Sequence, residues 1–291
     1  MWFYAALFTS VITAIIAIVG KKLVKNVSAS VLTWATLVLA TPIIFVFTLR
    51  EGIPQLNSLF YLGVSGSVLF YVVSQVMGFK SMRMADLSTI WPLVSLGPIF
   101  TLLIALLPPL SERPSVPATG GVFITLVGAY ILNASKSKEG LLEPIKSLVR
   151  SRASLLMMVS VLTSSVVIVF DKLAINNTLP QNTTFTLLIE NLMVIFGLLP
   201  LLYMRNKNFY IQITRNTQLF LLLGVLNAIS TIFAFLALGG GNVGLVATIL
   251  KTQVLFVLLF SYIAFHDKPK VETLIGTVIM IAGVVVIKIG S

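Results

Sequence analysis

Cysteine is missing from this 291-residue chain, which excludes disulfides and thiolate metal sites and leaves the redox compartment open. Histidine occurs once, as His266 at the end of an apolar run, where a solvated or interfacial side chain is the ordinary reading. No His-Glu-x-x-His pattern, no other recognisable hydrolase motif and no Gly-Lys-Ser/Thr of a Walker A loop occurs, so hydrolase chemistry and direct ATP drive within the chain are not expected. Charge is the scarcest resource. Only 10% of the residues are charged, against about 25% in a soluble globular domain, too few to coat a water-exposed surface. The nine acids stand mostly in turns and do not cluster as an enzyme's would. The reading is therefore a non-enzyme, with no catalytic residue, metal or cofactor.

What is present in quantity is apolar: 57% of the residues are hydrophobic and the mean hydropathy is +1.03. Membrane is the class that fits. The net charge of +11 would suggest nucleic acid in a soluble protein. In a membrane protein it reads as basic loops at the cytoplasmic face, with lipid and not nucleic acid as the partner. Ten apolar runs are long enough to span a bilayer, at roughly 2–19, 30–49, 57–79, 86–107, 117–134, 153–171, 183–203, 217–238, 243–265 and 271–289, about 18 residues being needed. Pro42, Pro92, Pro98 and Pro200 lie inside them, which membrane helices tolerate. The first run is followed, not preceded, by Lys21, Lys22 and Lys25. That reverses the layout of a cleavable signal peptide and predicts a retained helix.

One pattern is written twice. Glu112-Arg113-Pro114, Val116, Gly121 and Gly128 recur 155 residues later as Asp267-Lys268-Pro269, Val271, Gly276 and Gly283. Upstream, Ser10-Val11, Thr13, Val19, Lys22-Leu23 and Asn26 recur as Ser160-Val161, Thr163, Val169, Lys172-Leu173 and Asn176. The order never breaks, as an internal duplication requires. The expected fold is an all-α integral membrane protein of ten transmembrane helices in two five-helix repeats, 1–134 and 153–291. Because five is odd, the second repeat is inverted, a signature of secondary transporters. Residues 135–152 connect the repeats. Leu141, Leu142, Ile145, Leu148 and Val149 share a helical face flanked by Lys138, Lys146 and Arg150, which predicts an amphipathic helix on the cytoplasmic membrane surface; Pro144 interrupts it, and a disordered linker is the competing reading.

The positive-inside rule tests orientation independently. The connections after spans 1, 3, 5, 7 and 9 hold 15 of the 20 Lys and Arg residues, and the remaining connections and termini hold Arg50, Arg113, Lys172 and Lys288. This predicts a multi-pass protein of the cell's inner membrane with both termini outside and 135–152 cytoplasmic.

With Pro98, Thr101, Glu112 to Pro114, Gly120-Gly121 and Gly128 to Leu132 in place, the chain resembles the EamA-type branch of the drug/metabolite transporter superfamily. Gln253 stands where Pro98 would repeat. The resemblance covers nearly the whole chain and implies export or exchange of a small metabolite or drug-like solute by alternating access. It also implies a central cavity between spans 1–4 and 6–9, with spans 5 and 10 peripheral. It implies cytoplasmic termini, in contrast to the charge count.

Polar residues inside the spans carry the site expectation. Glu190 lies eight residues into span 7 and Lys251 seven into span 9, counted from connections on the same face. Both are then about 11–12 Å deep. Each alone is costly in hydrocarbon, and as a pair they compensate. The functional reading is a charged cavity floor on which solute competes for Lys251 and frees Glu190 to take up a proton; the plainer one is a structural ion pair. Asn191, Asn227 and Gln253 lie comparably deep, and Trp34, Trp91 and Thr89 are candidates for the first-half wall; for each of these singly, packing explains the residue as well as solute contact does. Gly239, Gly241 and Gly244 match Gly-x-Gly-x-x-Gly without the strand that nucleotide binding requires, so a tight turn is expected. The seven-residue spacing of Gly121/Gly128 and Gly276/Gly283 predicts close helix packing. The main alternative function is a transporter or flippase of a lipid or lipid-linked substrate; a second is a non-transporting assembly protein. The sequence leaves the oligomeric state open, and a monomer suffices.

Overall fold

The computed structural model describes residues 1–24, 27–84, 93–134, 151–205, 209–265 and 271–291. Hydrocarbon offers no partner for a backbone N–H or C=O, so a spanning segment must bond to itself as a helix. The chain complies almost throughout. Helices α1 (Trp2–Val24), α2 (Ala29–Glu51), α3 (Ser58–Met84), α4 (Gly97–Ala105) and α5 (Val116–Ala134) form the first half. The second half holds α6 (Arg152–Asn176), α7 (Thr183–Arg205), the short α8 (Phe209–Thr214), α9 (Thr217–Gly240), α10 (Val243–Lys251), α11 (Gln253–Phe265) and α12 (Val271–Gly290). Eight helical segments are long and apolar enough to cross a bilayer among the described residues. The expected fifth span is α5, whose apolar stretch Val116–Leu132 is shorter, and the fourth is represented by α4, because 85–92 are not described. Large apolar side chains such as Leu69, Phe196, Val278 and Ile289 stand more than 60% exposed, a surface that suits lipid and not water. The expected connector falls almost entirely on 135–150, and the second copy of the acid-base-proline turn falls on 267–269; both lie outside the described residues.

The main helix contacts occur in matched sets. α3 lies along α6 and α9 along α1; α4 meets α6, while α10 and α11 meet α1; α2 meets α7 and α5 meets α12. Exchanging the two halves therefore maps these contacts onto one another.

The α5–α12 seam shows why glycine recurs at seven-residue spacing. A Cβ on Gly121 would lie 2.6 Å from the Ile287 nitrogen, on Gly128 2.5 Å from the Met280 nitrogen, and on Gly276 2.8 Å from the Gly128 oxygen. The obstructing atoms are backbone, so no rotamer change relieves them. Two helices come together here as closely as their main chains allow.

Two spans are interrupted. Within the fourth, Leu96 N–H bonds to Leu93 C=O and Ile99 N–H to Leu96 C=O; within the ninth, Thr252 N–H bonds to Ile249 C=O and Leu255 N–H to Thr252 C=O. These three-residue bonds pinch each helix with a 3₁₀ turn, separating α10 from α11 and setting the start of α4. Pro98 supplies a reason in the first case, since it has no N–H to give to a continuous helix. The second case has glutamine at the repeat position; there the Thr252 hydroxyl donates to Ile249 C=O at 2.7 Å and competes for that carbonyl.

At one face the connections 2–3 and 6–7 pair. β1 (Gln55–Leu56) and β2 (Thr178–Leu179) form a two-stranded antiparallel ribbon, with Gln55 opposite Leu179 and Leu56 opposite Thr178. Asn57 Nδ2 donates to Asn177 Oδ1 at 2.8 Å, Asn182 Nδ2 to Gly52 C=O at 3.0 Å, and Thr184 Oγ1 to Glu51 Oε2 at 2.9 Å. All of these join the two halves.

Candidate functional site

Among the described residues, three polar centres lie within the helical body. The first is Lys251, the last residue of α10, half-buried where both interrupted spans meet. A Cβ on Gly97, at the start of α4, would touch its Cε at 3.9 Å. The surrounding hydroxyls are committed to main chain: Ser165 Oγ donates to Gly97 C=O at 2.9 Å and Ser10 Oγ to Ile249 C=O at 2.9 Å. Lys251 stands at a helix C-terminus, where the dipole favours a cation, and its ammonium has no ion-pair partner among the described residues.

The second centre corrects an expectation. Glu190 does not pair with Lys251. It is buried in α7, where its carboxyl interacts with that of Asp171 on α6, and Ser67 on α3 donates to Asp171 Oδ1. α7 packs on α2, α9 and α3, whereas α10 packs on α4, α1 and α5. Equal depth along two helices therefore did not imply adjacency. Glu190 Oε1 has no hydrogen-bond partner among the described residues, nor have the Nδ2 atoms of Asn191 and Asn227. Such buried orphans call for a ligand, a water or an ion.

The third centre is Lys172. Counted above as a loop charge, it is 6% exposed inside α6. α6 continues to Asn176 instead of ending near residue 171. The Lys172 ammonium donates to the Leu238, Gly239 and Gly241 carbonyls, capping the C-terminal end of α9. Across the turn, Glu112 Oε2 accepts from Val243 N–H at 2.7 Å, capping the N-terminus of α10, and its charge acts on Lys172. Each end of the turn receives the sign of charge its dipole favours. Gly239, Gly241 and Gly244 are thus a helix-to-helix turn, as expected.

A profile of the EamA-like transporter family matches residues 1–134 and 151–289. The chain belongs to the EamA-like transporter family. It is accordingly a multi-pass membrane protein of the drug/metabolite transporter type, from a family of transporters and not of enzymes, and a small-molecule substrate follows from that membership. A solved structure titled only "Crystal structure of protein" superposes with a TM-score of 0.75 at 14% identity, covering 99% of this chain and 96% of that one; this likeness concerns the fold alone. No curated protein matches the sequence.

The remaining candidates of this EamA-like chain divide. Gln253 opens α11 beside Lys251 in sequence and is half-buried. Trp34 is spent on packing: its indole N–H donates to Ile195 C=O at 3.2 Å, and its ring meets Phe209 edge-on at 5.5 Å. Thr89 and Trp91 lie outside the described residues. A cleft of 540 Å³ lined by Trp2, Glu51, Gln181, Thr183 and Gly240 opens at the ribbon face; it touches the third centre through Gly239, whose carbonyl accepts from Lys172. Sequence reasoning missed Asp171. The signal available was Leu173-Ala174-Ile175, an apolar triplet after the Asp-Lys pair, which says that the helix carries both charges inward.

Proposed function

We propose that the protein is a secondary transporter in which ten spans, arranged as two inverted five-helix repeats, move a small metabolite across the cell membrane by alternating access. The observation that supports this best is the pair of helix interruptions at Leu96 and Thr252, 156 residues apart in a chain whose repeat offset is 155. Interrupted helices at corresponding positions of two repeats mark solute sites in transporters, because freed backbone groups and helix ends can face a ligand there. Lys251 stands at that junction without a counter-charge among the described residues. It is proposed to hold the anionic group of an organic acid or zwitterion, with Gln253 as a neighbouring hydrogen-bonding group. Lys251→Ala should weaken binding of the co-purified ligand, identified by mass spectrometry, by about 10- to 150-fold, the equivalent of one hydrogen bond to a charged group of about 1.5–3 kcal/mol. Lys251→Arg should retain most of it. Equal affinity in all three proteins, measured by calorimetry, would place the solute elsewhere.

The orientation follows from charge: both termini and the β1–β2 ribbon outside, 135–152 inside. Cysteines introduced singly as Gly140→Cys and Ser291→Cys should label from opposite faces with an impermeant maleimide, Ser291→Cys from outside. Labelling of Gly140→Cys alone from outside reverses the assignment.

A further inference from the structure

Resting on the transport reading, we propose that Asp171 and Glu190 form the proton-binding site of the transport cycle, holding one shared proton in the ribbon-closed state and releasing it when the two halves part at that face. Two carboxylates buried side by side without a cation repel each other, and one proton held between them removes that cost. The two carboxyls interact across α6 and α7, both residues are at most 7% exposed, and Ser67 supplies an O–H to Asp171.

Among the described residues, no cation supplies the alternative way of keeping two acids together. α4 and α9, which pack on α6, carry no ionisable side chain, and α10 carries only Lys251, at the other centre. α2 carries only Arg50 and Glu51, at its end, and Glu51 accepts from Thr184. α3 carries Tyr61, Tyr71, Lys80 and Arg83, of which Tyr71 bonds to Gln75. On α6 and α7 themselves, Arg152, Tyr203 and Arg205 stand at the opposite helix ends, and Lys172 points into the α9–α10 turn.

The placement supplies the release. Asp171 lies seven residues before Thr178, and Glu190 eight after Asn182, so the pair sits about 10–12 Å beneath the ribbon. Both acids belong to the second half, joined through β2, while Ser67 belongs to the first. Separation of the halves at the ribbon would leave the acids together, remove the serine donor and admit water, which can accept the proton and solvate two carboxylates. Return of Ser67 and exclusion of water would require a proton again. A proton lost to water at the ribbon face and regained from water at the opposite face, once that face opens, would move one proton per cycle, its bond to carboxyl oxygen broken on one side of the membrane and formed on the other.

Difference infrared spectroscopy of the purified protein at neutral pH decides the first half of this inference without any substrate. Wild type should show the carbonyl band of a protonated carboxylic acid, and Asp171→Asn and Glu190→Gln should each remove or shift it. Ser67→Ala, which leaves both acids in place, should keep the band and shift it. Absence of the band in wild type, or its survival unchanged in both single acid variants, overturns the proposal. Coupling is read in proteoliposomes with a panel of radiolabelled amino acids and organic acids. A pH gradient should drive accumulation by wild type but not by either acid variant, while gradient-free exchange persists. Gradient-driven accumulation by the variants overturns the coupling role. Failure of wild type to exchange any solute of the panel counts against the transport reading and leaves the infrared result to decide the shared proton.

Discussion

Cysteines replacing Gln55 and Leu179 are expected to stop transport when oxidised and to restore it when reduced. The two residues face each other across the β1–β2 ribbon. Opposed residues of an antiparallel pair are about 4.5–5.5 Å apart at Cα, within the range of about 4.4–6.8 Å that a disulfide spans. The chain has no other cysteine, so the bridge forms in a clean background. β1 belongs to the first half and β2 to the second; a covalent link between them forbids the halves to separate at this face. Solute exchange in proteoliposomes should fall by at least about tenfold, an added barrier of about 1.4 kcal/mol or more, and recover with reductant. The single-cysteine variants should be insensitive to both reagents. Undiminished exchange by the oxidised pair would show that the ribbon does not open during transport, and would remove the trigger for proton release from Asp171 and Glu190.

The second large effect concerns the glycine seam. Gly128→Leu should lower the midpoint of thermal unfolding by about 2–12 °C, or prevent accumulation of folded protein, whereas Gly120→Leu should leave both unchanged. A Cβ on Gly128 meets the Met280 nitrogen at 2.5 Å and the Gly276 oxygen at 2.7 Å, while one on Gly120 meets nothing within 4 Å. Overpacking costs about 1–3 kcal/mol where side chains can adjust, and a domain of this size loses about 2–4 °C per kcal/mol; backbone neighbours put Gly128 at the severe end. Fluorescence-detected size-exclusion after heating measures the shift. A Gly128→Leu protein as stable as Gly120→Leu would mean that α5 and α12 separate freely, and that the seven-residue glycine spacing has another purpose.

The glycine-spacing and Glu190 expectations fared differently because they rested on different kinds of inference. The glycine spacing was legible since it concerns neighbours along one helix, where sequence interval translates directly into a shared face. Glu190 was legible as a deep acid for the same reason. Its partner was not. Depth along a helix is one coordinate, and pairing also needs the azimuth of the side chain and the identity of the neighbouring helix. Asp171 and Lys172 were misread because charges near the end of an apolar run normally mark the helix terminus. Here Lys172 finds the carbonyl end of α9 and Asp171 finds Ser67 and Glu190, so both can remain buried.

By itself the sequence determined that this is a helical membrane protein, roughly where most of the described helices run, that Gly239 to Gly244 form a helix-to-helix turn and to which family it belongs. Those properties follow from hydropathy, spacing and local backbone preference, all of which act over a few turns of chain. Only the tertiary structure decided that the fourth and ninth spans are both pinched, that Lys251 has no ion-pair partner among the described residues where they meet, and that Glu190 interacts with Asp171. These depend on which helices touch, and in a bilayer nearly every apolar face can pack on nearly any other. The choice among partners is made by close backbone approach at glycines and by a few buried polar contacts, whose geometry exists only once the helices have assembled.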